Sequence, residues 1–326
     1  MSGLSWRAPA LRTDEDEDRE RKTSFLELFF DLAVVAVVAR LAHGLVADPS
    51  WPALGRFAAA FVFLWWAWNG VVYYNERFES PDASHMLAMF LLVIPAAVMA
   101  WAAHDPLGSE IAAWVLGYVG IRGLLWVLYA RAAFHNPAFR PVARVFLALF
   151  GLAQIVLLVS LAVPAPARFA MWGAALLLEL AAPPLTLGMQ RALPRLSRSH
   201  LPERYGLFVL IALGETVVGV VNAMDARHGT GPLAWIVVPL ALWCIYFQGL
   251  FERPLRPTLP AFAGWIYGHA PLLLAVAAVG PSITLAATGE RLGAAWLAGS
   301  VAVFVTALWL LRGVTMDSAM HREERG

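Results

Sequence analysis

Glu27 and Asp31 stand one helical turn apart in the apolar stretch TSFLELFFDLAVVAVV, residues 23–38. Residues at i and i+4 share a helix face, so both carboxylates look toward one neighbour. An ionisable side chain sunk in hydrocarbon is costly unless it finds a partner or water, which makes it a candidate for function. For Glu27 a plainer role competes, that of a negative charge favoured at a helix N-terminus. Glu203 and Arg204 open a later apolar run, and Glu215 lies twelve residues beyond Glu203, about 18 Å deeper on a helix. Arg122 and Glu179 are similarly central in two other runs. A deep arginine and a deep glutamate pair because neither is tolerated alone, either as a fixed ion pair or as a gate that an anion or a proton opens.

Two histidines complete the set, His85 and His269. Imidazoles beside carboxylates in a low-dielectric setting can pass protons among themselves. His269 lies in GWIYGHAP, with Gly264 and Gly268 spaced as GxxxG and Pro271 following. That pattern serves close helix contact with a kink, or an irregular helix lining a cavity. Metal and nucleophile signatures (HExxH, CxxC, the P-loop, a strand-borne GxSxG) are absent from the sequence, so no cofactor is assigned. A dispersed Glu/His metal site across helices stays open.

These residues must be positioned inside a membrane. Of 326 residues, 60% are hydrophobic and only 14% charged, where a soluble domain carries roughly a quarter of its residues as charged ones. The net charge of +1 leaves no basic surface for nucleic acid, so none is expected as a partner. The single cysteine, Cys244, cannot form an internal disulfide. Ten apolar runs of membrane length are predicted, at 25–47, 54–75, 84–103, 110–131, 142–163, 168–188, 203–224, 232–252, 261–283 and 292–312, each near the roughly 20 residues needed to cross the hydrocarbon. The connections hold Pro, Gly, Asn and Asp breakers and no room for a soluble domain. The expectation is an all-α polytopic membrane protein, with a single helical domain over 25–312.

Residues 1–24, with the acidic run 14–18 and then Arg19, Arg21 and Lys22, lack the apolar core of a signal peptide and are expected to form a disordered arm. Residues 313–326 form a tail. Most basic residues, from the arm through Arg77, Arg131, Arg140, Arg144, Arg191 and Arg253 to Arg312 and Arg325, fall on one side of the spans. Only Arg56, Arg168, Arg227 and Arg291 fall on the other. The positive-inside rule then makes both termini cytoplasmic.

A parallel internal repeat of spans 1–4 and 7–10 is suggested by FFDLAVVAVV around Asp31 and LGETVVGVV around Glu215. The offset that carries Asp31 onto Glu215 also carries His85 onto His269. An even shift of six spans relates the copies by an axis along the membrane normal.

SFLELFFDLAVV at 24–35 and HLPERYGLFVLIALGETVVGV at 200–220, with WNGVVYYNERFES at 68–80 between them, resemble the bacterial low temperature requirement A (LtrA) family of multi-span membrane proteins. The resemblance runs over most of the chain, and members are often longer at the C-terminal side. It implies a polytopic fold and family-type polar positions at Glu27, Asp31, His200, Glu203, Arg204 and Glu215. The family is named for a growth phenotype in the cold and supplies no substrate or reaction.

Taken together, the residues are read as a secondary transporter or permease-like protein of the bacterial cytoplasmic membrane. Its binding or proton-coupling positions are Glu27, Asp31, His85, Arg122, Glu203, Arg204, Glu215 and His269. Asp31 and Glu215 are the coupling carboxylates, between two repeat halves. Its partners are the lipid bilayer and a small molecule or ion that the sequence does not identify, and no oligomeric state is assigned. Two other readings stand beside it: an intramembrane enzyme holding a metal or cofactor, and a structural or stress-response accessory with a polar core.

Overall fold

The computed structural model describes residues 8–12, 23–79, 83–194, 196 and 200–316. The acidic run 14–18, Arg7, Arg19, Arg21, Lys22, Pro81, Arg195, Arg198, Arg322 and Arg325 lie outside the described residues.

The chain is built of helices. These are α1 (Phe25–Ala47), α2 (Trp51–Arg77), α3 (Ala83–Ala102), α4 (Ile111–His135), α5 (Arg140–Ser160), α6 (Ala167–Leu185), the short α7 (Leu187–Gln190), α8 (His200–Arg227), α9 (Val237–Tyr246), α10 (Leu259–Thr288) and α11 (Arg291–Arg312). Among the described residues, nine helical segments are long and apolar enough to cross a membrane. They correspond to the second to tenth predicted runs. The first run is α1, whose 23 residues carry Glu27, Asp31 and Arg40 and which stands outside those nine. The eighth crossing, Gly231–Phe251, changes pitch along its length. It begins as a 3-10 turn over Gly231–Ile236, continues as α9, and ends as a π turn over Phe247–Phe251.

Local chemistry sets the helix ends. The Thr258 side chain accepts from the Ala261 amide at the start of α10, and Gly289 closes that helix with φ +88°, a conformation glycine takes without the Cβ penalty. Pro137 and Pro141 sit in the first turns of their helices, where the missing N–H is harmless.

The helices gather into two compact units, the first drawn from residues 1–34 and 63–197, the second from 35–62 and 198–326. In the first unit α3, α4, α5 and α6 pack in succession. Part of the arm expected to be disordered is ordered there. Ala10–Leu11 (β1) pairs antiparallel with Phe78–Glu79 (β2), and Arg12 reaches Glu76 at 3.5 Å in a buried ion pair. In the second unit α10 packs against both α8 and α11. The step from the start of α1 at Phe25 to the start of α8 at His200 nearly equals that from the start of α3 at Ala83 to the start of α10 at Leu259. Such even spacing is what an internal repeat requires. Both steps are shorter than the one from Asp31 to Glu215, however, so the registers disagree. Asp31 falls in the second turn of its helix, whereas Glu215 lies four turns into α8. Their shared offset with the two histidines does not put the two acids at matched depth.

Candidate functional site

In the first unit Glu27, Asp31 and Arg122 are buried and hydrogen-bonded to neighbouring side chains. Ser24 and Glu27 form a capping box. The Ser24 amide and hydroxyl donate to Glu27 Oε2 at 2.9 and 3.0 Å, and the Glu27 amide donates back to Ser24 Oγ at 3.2 Å. Glu27 is fully buried, and its helix-capping role is the plainer of the two expected for it. Ser24→Ala removes one half of this exchange, and the expected loss is about 1 kcal/mol, read as a lower melting temperature of detergent-purified protein. Asp31, also fully buried, accepts from the Trp68 indole at 2.7 Å.

Arg122 on α4 meets Glu179 on α6, Nε to Oε1 at 3.1 Å, with each side chain 1% exposed. Tyr118, one turn before Arg122, donates its hydroxyl to the other carboxylate oxygen. The guanidinium lies 4.3 Å over the Phe150 ring of α5. On α2, Gly70 leaves the room it needs, since a Cβ there would come within 2.3 Å of Arg122 Nη1. Of the two roles expected for this deep pair, the geometry is that of an enclosed ion pair. His85 is partly exposed in the first turn of α3 and is engaged by neighbours.

In the second unit Glu203 is partly buried in the first turn of α8, and Arg204 beside it is fully buried. Both have partners. His269 is fully enclosed. Its Nδ1 meets the Trp265 carbonyl at 2.7 Å and its Nε2 meets the Tyr246 hydroxyl at 3.1 Å. Because the carbonyl only accepts, Nδ1 carries the proton, and a neutral ring then satisfies both bonds. Tyr205 and Trp265 rings stand 4.7 and 4.4 Å from the imidazole. Of the two roles expected for the GWIYGHAP segment, His269 takes the packed one.

Glu215 differs. It is partly exposed and lines a cavity of about 330 Å³ with the C-terminal halves of α1, α8 and α10 as walls. The other polar walls are His43, Asn222 and Thr284. Thr284 Oγ bonds the Gly219 carbonyl at 3.0 Å and the Gly280 carbonyl at 3.2 Å, so the hydroxyl ties α10 to α8 in the cavity wall. Pro281, also in the wall, has no N–H to give the Ala277 carbonyl one turn back, and both residues face the hollow. The three helices run in one sense. The lining reaches Ala47 and Ala226, at or next to the ends of α1 and α8. Glu215 is twelve residues from the end of α8, His43 four from the end of α1, and Asn222 five from the end of α8. On α-helices these are depths of about 18, 6 and 8 Å. Polar groups thus step from a helix-end mouth down to a carboxylate near the middle of the span.

Of the eight candidates, Glu27, Asp31, His85 and Arg122 belong to the first unit and Glu203, Arg204, Glu215 and His269 to the second. Within the second, Glu215 stands in the hollow and His269 in its aromatic cage. Sequence reasoning passed over His43 and Asn222. A signal for Asn222 is present, since it follows Glu215 by seven residues and so lies on the same helix face. His43 carries none, because the helix that brings Glu215 to it lies more than half the chain away. Among the described residues no group of three or more His, Cys, Asp or Glu is arranged to hold a metal ion.

An uncharacterized protein of Rhizobium meliloti (strain 1021) is 26% identical over 331 aligned residues, covering 90% of this chain and 78% of the relative. No solved structure matches the chain. The family model described as bacterial low temperature requirement A protein (LtrA) matches residues 22–324, so this multi-pass membrane protein belongs to the LtrA family.

Proposed function

We propose that this chain is a secondary transporter or permease-like protein of the bacterial cytoplasmic membrane, with Glu215 as its coupling carboxylate. One observation carries the reading: Glu215, deep in the second unit, stands in a hollow of about 330 Å³ whose other polar walls are His43, Asn222 and Thr284. A single negative charge deep in a span is neutralised by a proton or by a bound cation, and not by both at once. That exclusion is the elementary requirement for exchanging one against the other. His43, nearer the mouth, is the natural relay, because an imidazole can accept a proton at one ring nitrogen and release one from the other. With both termini cytoplasmic, the mouth opens on the outer face. Asp31, Arg122 and His269 then hold helices in place and carry no solute.

The test is proton flux in proteoliposomes with a pH dye inside, challenged with metal cations, amino acids and organic cations. The flux that counts is the part that differs between wild type and an equal amount of Glu215→Gln. The expectation is at least one solute-dependent flux that Glu215→Gln lowers tenfold or more and His43→Asn slows. Flux untouched by Glu215→Gln, or no solute-driven flux at all, overturns the reading.

A further inference from the structure

Resting on that reading, we infer that the cavity takes a small organic cation: an ammonium group bearing N–H, with a short apolar body. Three features of the lining select this class. The wall carries one carboxylate and no lysine or arginine, so it favours positive charge. Two of its four polar side chains are too far apart to share a bare ion. Glu215 and Asn222 are seven residues apart on one helix, about 10 Å along its axis, whereas oxygen ligands surround a calcium-sized cation at about 2.3–2.6 Å. Between them the surface is alanine, valine and proline, which suits a hydrocarbon body. No Trp, Tyr or Phe ring lines the hollow, so a quaternary ammonium lacks the cage that would recognise it. An N–H-bearing ammonium has acceptors instead. The Glu215 carboxylate carries the charge, and the Ala277 carbonyl, left without its helix donor by Pro281, accepts a second hydrogen bond. The volume of about 330 Å³ sits at the small end of ligand sites, in keeping with a body of a few carbons. An ammonium of this kind is offered both by free amines and by the ethanolamine headgroup of a phospholipid.

The experiment uses the full chain in vesicles. In a Cys244→Ser background, Ala42→Cys places one thiol in the cavity wall, and its rate of reaction with a maleimide is measured with and without probe. Butylammonium should slow labelling at least fivefold. Butyramide, butyrate and tetramethylammonium at equal concentration should leave the rate within twofold, and Glu215→Gln should abolish the protection while the unprotected rate persists. Protection by butyramide or tetramethylammonium equal to that by butylammonium, or protection that survives Glu215→Gln, overturns the inference and leaves the hollow standing. A thiol at position 42 that never reacts removes the hollow itself, and with it both readings. Vesicles of phosphatidylglycerol alone, set against vesicles containing phosphatidylethanolamine, separate the two sources. Labelling already slowed by the ethanolamine lipid assigns the ammonium to a headgroup, and protection by the soluble probe alone assigns it to a free amine.

Discussion

Replacing Arg122 with alanine will cost the fold about 3–5 kcal/mol, the usual effect of removing one partner of a buried ion pair. The reason lies in what is left behind. Glu179 would keep the Tyr118 hydroxyl but lose its counter-charge in a place where its side chain is 1% exposed. The emptied guanidinium site would also open a void between Phe150 and Gly70. Arg122→Lys should recover only part of the loss. An ammonium is a point charge, whereas the guanidinium sits 4.3 Å over the Phe150 ring and presents Nε to the carboxylate. The double replacement Arg122→Met with Glu179→Met should be far milder than either single change to alanine, because an apolar pair leaves no orphan charge. Melting of detergent-purified protein by scanning fluorimetry and by aggregation on sizing columns checks the series. If Arg122→Ala melts like wild type, the pair is not what holds α4 to α6.

Much of this was legible before any coordinates. Charge-poor runs of about twenty residues between Pro, Gly and Asp breakers are a direct record of bilayer thickness, and the observed ends of α3, α5 and α11 fall within a few residues of the predicted runs. The pairing of a deep arginine with a deep glutamate also follows from charge alone, since the hydrocarbon offers neither any other refuge. What charge could not supply was which acid is enclosed and which faces a hollow. Glu179 and Glu215 look alike in the sequence, each a lone acid inside a long apolar run. The difference is made by neighbours far away in the chain: Arg122 for the first, and for the second His43 and the small residues Ala277, Gly280 and Pro281. The apparent match of Asp31 with Glu215 came from the composition around them. The helices that carry them start closer together in the chain than the two acids stand, which removes their equivalence.

The second large effect is expected at Gly219, where α8 meets α10. A Cβ on Gly219 would stand 2.6 Å from both the Cα and the carbonyl oxygen of Gly280, a backbone that cannot swing aside as a side chain can. Gly219→Ala must therefore push the two helices apart, at the upper end of the roughly 1–3 kcal/mol that overpacking costs. It also strains the Thr284 bond to the Gly219 carbonyl. The reciprocal change is the control. A Cβ on Gly280 would lie 3.1 Å from the Glu215 carbonyl and 3.4 Å from the Thr216 Cα, a tight contact that small shifts relieve. Alanine also gains about 1 kcal/mol over glycine inside a helix. Gly280→Ala should thus melt close to wild type while Gly219→Ala falls well below it, although both remove a glycine from the same crossing. Because Gly219, one turn from Glu215, and Gly280 also line the cavity, Gly219→Ala should change the reactivity of a thiol at position 42 as well as stability. Equal melting of the two variants would show that the α8–α10 crossing is looser than these distances require, and that the cavity wall beside Glu215 is free to move.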